Sequence, residues 1–327
     1  MVRRLCLEHD DLGFLEEAAR LLGFRSRMLQ LEPGRNPSRL ELVDGGGVSL
    51  LRLQFSRRTF IHGPKPQGRI FCNITLRTAL ELPRVHGREL AADTAVGFDQ
   101  QREIHFQAPA AHRFAAVLVE EPLFWRTAAL MGRRDLEPDL LAANAFRLHP
   151  ACGGELRRLV DQAFQRPEPA LADDLLPLLI AAIETPHCHH GLTGSRNERL
   201  LISDLGRELM QQRLGEPLSL RDLYSAIPTS RRTLIYAFDD VFGMAPMRFL
   251  RLQRLQAARH VLARAEPGSL VLSAIAQCYG FASVSHFSRV YREHFGEAPA
   301  QTLAAAPTYS QNRSDWSASW RVAQRAA

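Results

Sequence analysis

Two stretches near the C-terminal end of the chain are variants of each other. They are "PTSRRTLIYAFDDVFGMAP" at residues 228–246 and "YGFASVSHFSRVYREHFGEAP" at 279–299. Aligned on their shared Phe-Gly-x-Ala-Pro ending, Phe242 falls on Phe295 and Gly243 on Gly296. Phe238 then matches Tyr291, Leu234 matches Phe287 and Ser230 matches Ser283. A unit used twice has to fold twice, so this repeat constrains the fold more than any other feature. Each copy reads as two short helices around a tight turn. In the first, residues 219–227 open with Ser219 and Asp222, a variant of the capping box, and stop at Pro228. Ser230 is placed to cap the following helix. In the second, residues 272–279 stop at Gly280 and Ser283 caps the next helix. Two such helices form a helix-turn-helix.

Apolar spacing tells the faces of the second helices apart. Leu234, Phe238 and Val241 share one stripe, as do Phe287, Tyr291 and Phe295. The opposite faces hold Arg231, Arg232 and Tyr236 in one copy and Ser285, Arg289 and Arg292 in the other. Arg pairs bidentately with guanine and Ser bonds several base edges. The joining stretch 246–265 has Pro246 at a first helical position and apolar residues at helical spacing. Its twenty residues would make a rod of roughly 30 Å. Successive major-groove faces lie roughly 34 Å apart. Charge agrees: residues 195–327 carry 17 Arg against 11 acidic residues, while residues 1–194 carry 24 of each sign. The whole net charge of +6 lies with the repeat, which points to an acidic partner.

The front of the chain has another pattern. Residues 10–22 read as a short helix and 31–47 as a Pro/Gly-rich loop. Strand-like runs follow at 48–55, 69–76, 95–98, 102–107 and 113–120, as in a small barrel or sandwich. Helical spacing returns at 122–131, 152–165 and 169–185, and "PHCHHGLTG" (186–194) reads as a linker. In the 169–185 helix, Leu171, Leu175, Leu178, Leu179 and Ala182 make a wide apolar stripe. It is covered either by the same chain or by the same helix of a second chain. Arg57, His62, Arg69 and Asn73 flank the strand runs and are candidates for lining a pocket. Five scattered cysteines without a CxxC, no long apolar run and no signal-peptide pattern fit a reduced, cytoplasmic protein.

The elements Ser230, Leu234, Phe238, Gly243, Pro246, Arg254-Leu255 and Ala258 resemble the AraC/XylS family of bacterial transcription regulators. So do Ile275-Ala276, Gly280-Phe281, Phe287, Arg289, Phe295-Gly296 and Pro299. The resemblance spans roughly 200–305 and leans toward the branch of ethanolamine-operon regulators. It implies an α+β fold. Residues 1–190 would form a cupin-like β-barrel with helices, for effector binding and dimerisation. Residues 195–305 would carry two helix-turn-helix units, 219–242 and 272–295, on a linker helix, and 306–327 would be a tail. It implies base contact by Arg232, Tyr236, Ser285 and Arg289, and phosphate contact by Arg231, Arg254 and Arg292. Promoter DNA, a second copy of the chain, RNA polymerase and a small-molecule effector are the implied partners; a membrane is not. Activation of virulence or metabolic genes is the implied role. Pro228 and Tyr224 depart from the pattern, where a Gly and a small residue are usual.

Two other readings stay open. One is a metal-binding cupin-type enzyme; the histidines outside "HCHH" (187–190) stand apart, with no HxH. No GxSxG, GxGxxG or Walker-type loop is present either, so no enzyme, cofactor or metal is expected. The other is a module that binds an acidic protein through the basic helices. Retention on duplex DNA, set against metal content, separates the three.

Overall fold

The computed structural model describes residues 2–77, 80–134, 136–166, 171–183, 195–266 and 270–306. The expected 186–194 linker, with its histidines, and the tail from 307 lie outside the described residues. Along the chain come β1 (Arg3–His9), α1 (Leu12–Ala19), β2 (Arg27–Gln30), β3 (Ser38–Gly45), β4 (Val48–Phe55), β5 (Thr59–Gly63) and β6 (Arg69–Arg77). Next are β7 (Arg84–Val85), β8 (Arg88–Glu89), β9 (Thr94–Val96), β10 (Ile104–Ala108), β11 (Arg113–Glu120), α2 (Glu121–Leu130), α3 (Leu136–Ala142), β12 (Ala145–Arg147), α4 (Pro150–Gln165) and α5 (Leu171–Ala182). The rest is helical: α6 (Ser195–Gln212), α7 (Leu220–Ala226), α8 (Arg231–Phe242), α9 (Pro246–Leu262), α10 (Leu272–Cys278), α11 (Val284–Phe295) and a last helix at 299–306.

Seven strands form sheet A in the order β1-β3-β4-β11-β6-β9-β12. Five form sheet B in the order β2-β5-β10-β7-β8. All pairs are antiparallel. Alternation along the strands sorts the side chains into layers. On one face of sheet A, Val48, Leu50, Cys72, Ile74, Val117 and Val119 pack against α2, α4 and α5. On its other face, Leu40, Leu42, Leu51, Leu53, Ala116 and Leu118 meet Met28, Ile61 and Phe106 of sheet B. The far face of sheet B presents Leu29 and Phe60, which join the core of the helical C-terminal part. The order of layers is therefore helices, sheet A, sheet B, C-terminal helices.

This layering corrects three expectations. The two sheets remain open, with β1 and β12 as the edges of one and β2 and β8 as the edges of the other, so the front part is a sandwich and not a closed barrel. A barrel buries one face of its sheet, whereas here both faces of both sheets are covered, which favours stacking. The supposed 31–47 loop contains β3, a strand paired with β4 along its whole length and with β1 over Ser38–Asp44; Pro33, Gly34 and Pro37 before it and Gly45–Gly47 at its end disguise it. Finally, Leu171, Leu175, Leu179 and Ala182 of α5 are buried in the chain's own front core, and only Leu178 is half-buried. The stripe is covered from within, so it is not a free dimer surface.

Candidate nucleic-acid interface

Local chemistry sets both helix-turn-helix units. Ser219 Oγ accepts from the Asp222 N–H at 3.3 Å while the Asp222 carboxylate accepts from the Ser219 N–H at 2.8 Å, a complete capping box on α7. Ile227 closes α7 in extended backbone, as a residue before proline prefers. Ser230 Oγ then accepts from the Thr233 N–H at 3.1 Å, and Ser283 Oγ from the His286 N–H at 3.2 Å. The second helix of each unit thus begins with a serine cap. Each ends in a left-handed glycine, Gly243 and Gly296. The common Phe-Gly-x-Ala-Pro is the chemistry of a helix end followed by a new start.

The assigned phases hold. Leu234, Phe238, Val241, Phe287, Tyr291 and Phe295 are all buried in one core. On the opposite faces Arg231, Arg232, Ser285, Arg289 and Arg292 are exposed, and Tyr236 is 49% exposed. The Arg232 guanidinium lies 5.3 Å from the Tyr236 ring centroid, so this pair stands together on one face of α8. Arg289 forms an exposed ion pair with Glu293 one turn later, 2.8 Å apart. Such a pair stabilises little and leaves the guanidinium available.

Arg254 does not join them. Its Nε donates to Leu214 O at 3.0 Å and its Nη2 to Glu216 O. It also lies against Gly280, in the turn of the second unit. Arg254 is a tie between α9, the α6–α7 loop and the second turn, with its Nε and Nη2 bonded inside the chain. It stands apart from the exposed arginines of α8 and α11.

The four candidate effector residues separate. His62 of β5 accepts from Arg207 Nη1 at 3.1 Å and lines a cavity of about 380 Å³ between sheet B and α6. Asn73 of β6 lines a smaller inner cavity, and His86 and His105 border both. Arg57 lies instead against Gly34 in the β2–β3 loop, and Arg69 bonds Ser49 on sheet A. The sequence reading missed His105, Gln107, Arg207 and Gln30. His105 and Gln107 alternate with apolar residues on β10, the pattern of a strand with one face in water. That face is covered by α6 and α8: His105 stacks on Phe242 at 5.7 Å between centroids, and Gln107 bonds the end of α8.

Burial holds His105 down to about 3, with Arg207 adding to it, and burial likewise takes His86 to about 3. His62 is lowered well below its ordinary value, by burial first and Arg207 second. The three rings are therefore neutral at the junction. Among the described residues no group of three His, Cys, Asp or Glu side chains could hold a metal ion, and no helix is long and apolar enough to cross a membrane.

Comparison with known proteins falls on the same residues. Residues 223–305 match a family model described as a helix-turn-helix domain. The probable thc operon regulatory protein of Rhodococcus erythropolis is 33% identical over 106 residues, 32% of this chain and 32% of that protein. The chain carries an AraC/XylS-type helix-turn-helix domain. The transcriptional regulator GbdR of Pseudomonas aeruginosa is 34% identical over 99 residues, 30% of this chain and 26% of that protein. A solved AraC-type regulator structure from Chromobacterium violaceum is 30% identical and covers 34% of this chain and 96% of that chain, with a TM-score of 0.32. The match spans about a third or less of the two curated relatives named.

Proposed function

We infer that this chain is a promoter-binding transcription regulator. Residues 195–305 read two adjacent major grooves, and residues 1–190 receive an effector or a second copy of the chain. One observation carries the reading. Both recognition helices bury one stripe and leave bare the opposite stripe, which is cationic and polar. That is the arrangement needed to enter a groove. Arg232, Tyr236, Ser285 and Arg289 are the base readers in this reading, with Arg231 and Arg292 on phosphates. The relatives' names, operon regulators and an operon transcriptional activator of Pseudomonas putida, support regulation and favour activation, with RNA polymerase as the partner to be engaged.

The cavity lined by His62, His86, His105 and Arg207, with Leu200 and Leu201, is the site of choice for an effector. Self-association, if the operator is repeated, uses a surface other than the α5 stripe. The test is selection of duplexes from a random-sequence pool by the purified full chain. The expected product is a site with two short elements about one helical turn apart, bound with a steep dependence on salt. Recovery of no enriched sequence, or retention that ignores salt, would refute the reading.

A further inference from the structure

The front sheet holds both recognition helices at the same position of the repeat. With Phe242 aligned on Phe295, Val241 aligns on His294. Both residues lie in the last turn of their helices, where backbone carbonyls have no partner inside the helix. Gln107 Nε2, on β10, donates to Val241 O at 2.5 Å. The Gly34 N–H donates to His294 O at 2.7 Å, and Gln30 Nε2, at the end of β2, donates to the same oxygen at 3.3 Å.

Two of the three donors, Gln30 and Gln107, belong to one strip of sheet B, and the third, the Gly34 N–H, lies in the loop that leaves the end of β2. β2, β5 and β10 are consecutive strands, with Gln30 opposite Thr59 and Gln107 opposite Phe60. Phe60 meets Phe242 at 5.2 Å and Phe249 of α9 at 6.4 Å between centroids. The linker side is anchored too: Arg264, just past α9, donates to Glu17 of α1 at 2.7 Å and to Gly13 O at 2.9 Å. Within the helical part, α11 is tied to α9 by Arg259, which pairs with Glu297 at 2.8 Å and lies over the Phe295 ring. Besides α9, α8 packs against α6 and α7, and α11 against α10; a helix held along one side can still swing about that side. A second fixed point at its far end removes the swing. Here both recognition helices receive that second point from the same sheet, and both keep their base-reading starts free.

We propose that sheet B is a spacing gauge: by holding the Val241 and His294 carbonyls it fixes the angle between the two recognition helices, and so sets the separation of DNA elements that the chain accepts. The inference rests on the DNA-binding reading above. It makes the front part a determinant of operator geometry, not only an attached sensor.

The experiment uses the full chain with Gln107→Leu, which keeps size and removes the donor. Gln30 is left in place because its amide also donates to Glu32 O and Gly34 O, at 2.7 Å each. Duplexes selected by the unaltered chain are remade with one base pair added or removed between the two elements. Each change turns one element by about a tenth of a turn relative to the other. The unaltered chain is expected to lose about tenfold or more in affinity on the changed duplexes, comparable to a mismatch. Gln107→Leu is expected to bind the original and changed duplexes within about threefold of each other, with an unchanged circular dichroism spectrum. Should that variant fail to fold, Gln107→Asn, which retracts the amide by one methylene, gives the same readout. A folded variant that discriminates spacing as sharply as the unaltered chain overturns the gauge. If the unaltered chain selects no duplex, the DNA reading has failed instead.

Discussion

Arg289 stands exposed midway along α11, with Glu293 beside it. Breaking that surface pair to reach a guanine costs little, whereas a bidentate Arg–guanine contact discriminates by about 1–3 kcal/mol. Arg289→Ala is therefore expected to weaken binding to the selected duplex by that amount. It should also flatten base preference within one element only, as read from a panel of single-base-pair variants. Wild-type preferences in the mutant would remove Arg289 from the base readers. The two capping glycines give a sharper comparison. Gly243 and Gly296 both have left-handed backbone, with φ of 69° and 74°, and alanine there costs about 1–2 kcal/mol. A Cβ on Gly243 meets nothing, but on Gly296 it comes within 3.0 Å of Arg35 Cγ and 3.2 Å of Arg35 N. Gly296→Ala is expected to lower thermal stability more than Gly243→Ala and also to loosen the front sheet from α11. Equal losses would show that the Gly296 contact yields freely.

At the scale of an element, α5 shows how an amphipathic pattern underdetermines its partner. Its apolar stripe suits a self-associating helix, but α4 and sheet A cover it. Leu175 and Leu179 are core residues, and charging both leaves two cations without partners among apolar neighbours. The variant Leu175→Arg with Leu179→Arg is expected to lose the folded front part, seen as aggregation or a lost cooperative melt. A folded protein with an altered oligomeric state would restore this helix as an interface. Legibility also differs by element. The caps at Ser219, Ser230 and Ser283 could be read directly, because a cap is a contact between near neighbours in the chain. β3 could not, because its identity rests on pairing with β1 and β4 while turn residues crowd its ends.

For the molecule as a whole, the junction between sheet B and the helical part makes docking sensitive to acid. His105 lies between Phe60 and Phe242, and His62 accepts from Arg207; protonating either sets a second cation beside Arg207. Asp204, 3.7 Å from His105, offsets this only in part. The sign follows from the lowered values. While docked, His105 stays neutral to about pH 3; undocked, it returns toward its ordinary 6.5. Below about pH 6.5 the open form takes up protons that the docked form does not, so docking is fully present above that pH and is lost as pH falls. For His105 the loss is about 1 kcal/mol by pH 5.5. Hydrogen exchange at β10 and the end of α8, corrected for intrinsic rates, should quicken between pH 7.5 and 5.5. His105→Phe should blunt that response, and exchange indifferent to pH would show that the rings stay neutral without help from the interface.

The sequence alone determined the two repeats, their caps, their buried stripes and their exposed basic faces, because each depends on residues within a few turns of one helix. It also placed the whole excess charge of +6 in residues 195–327, the part that contains those helices. Tertiary structure decided what the front part does with its polar strand residues. His62, His105, Gln107 and Gln30 carry the pattern of a face in water, and only the arrival of α6, α8 and α11 makes that face an interface. Periodicity records that a side chain faces away from its own core; it carries no record of what meets it there. For the same reason the α5 stripe could be read as apolar from the sequence, while the surface that covers it was fixed only by the packing of α4 and sheet A.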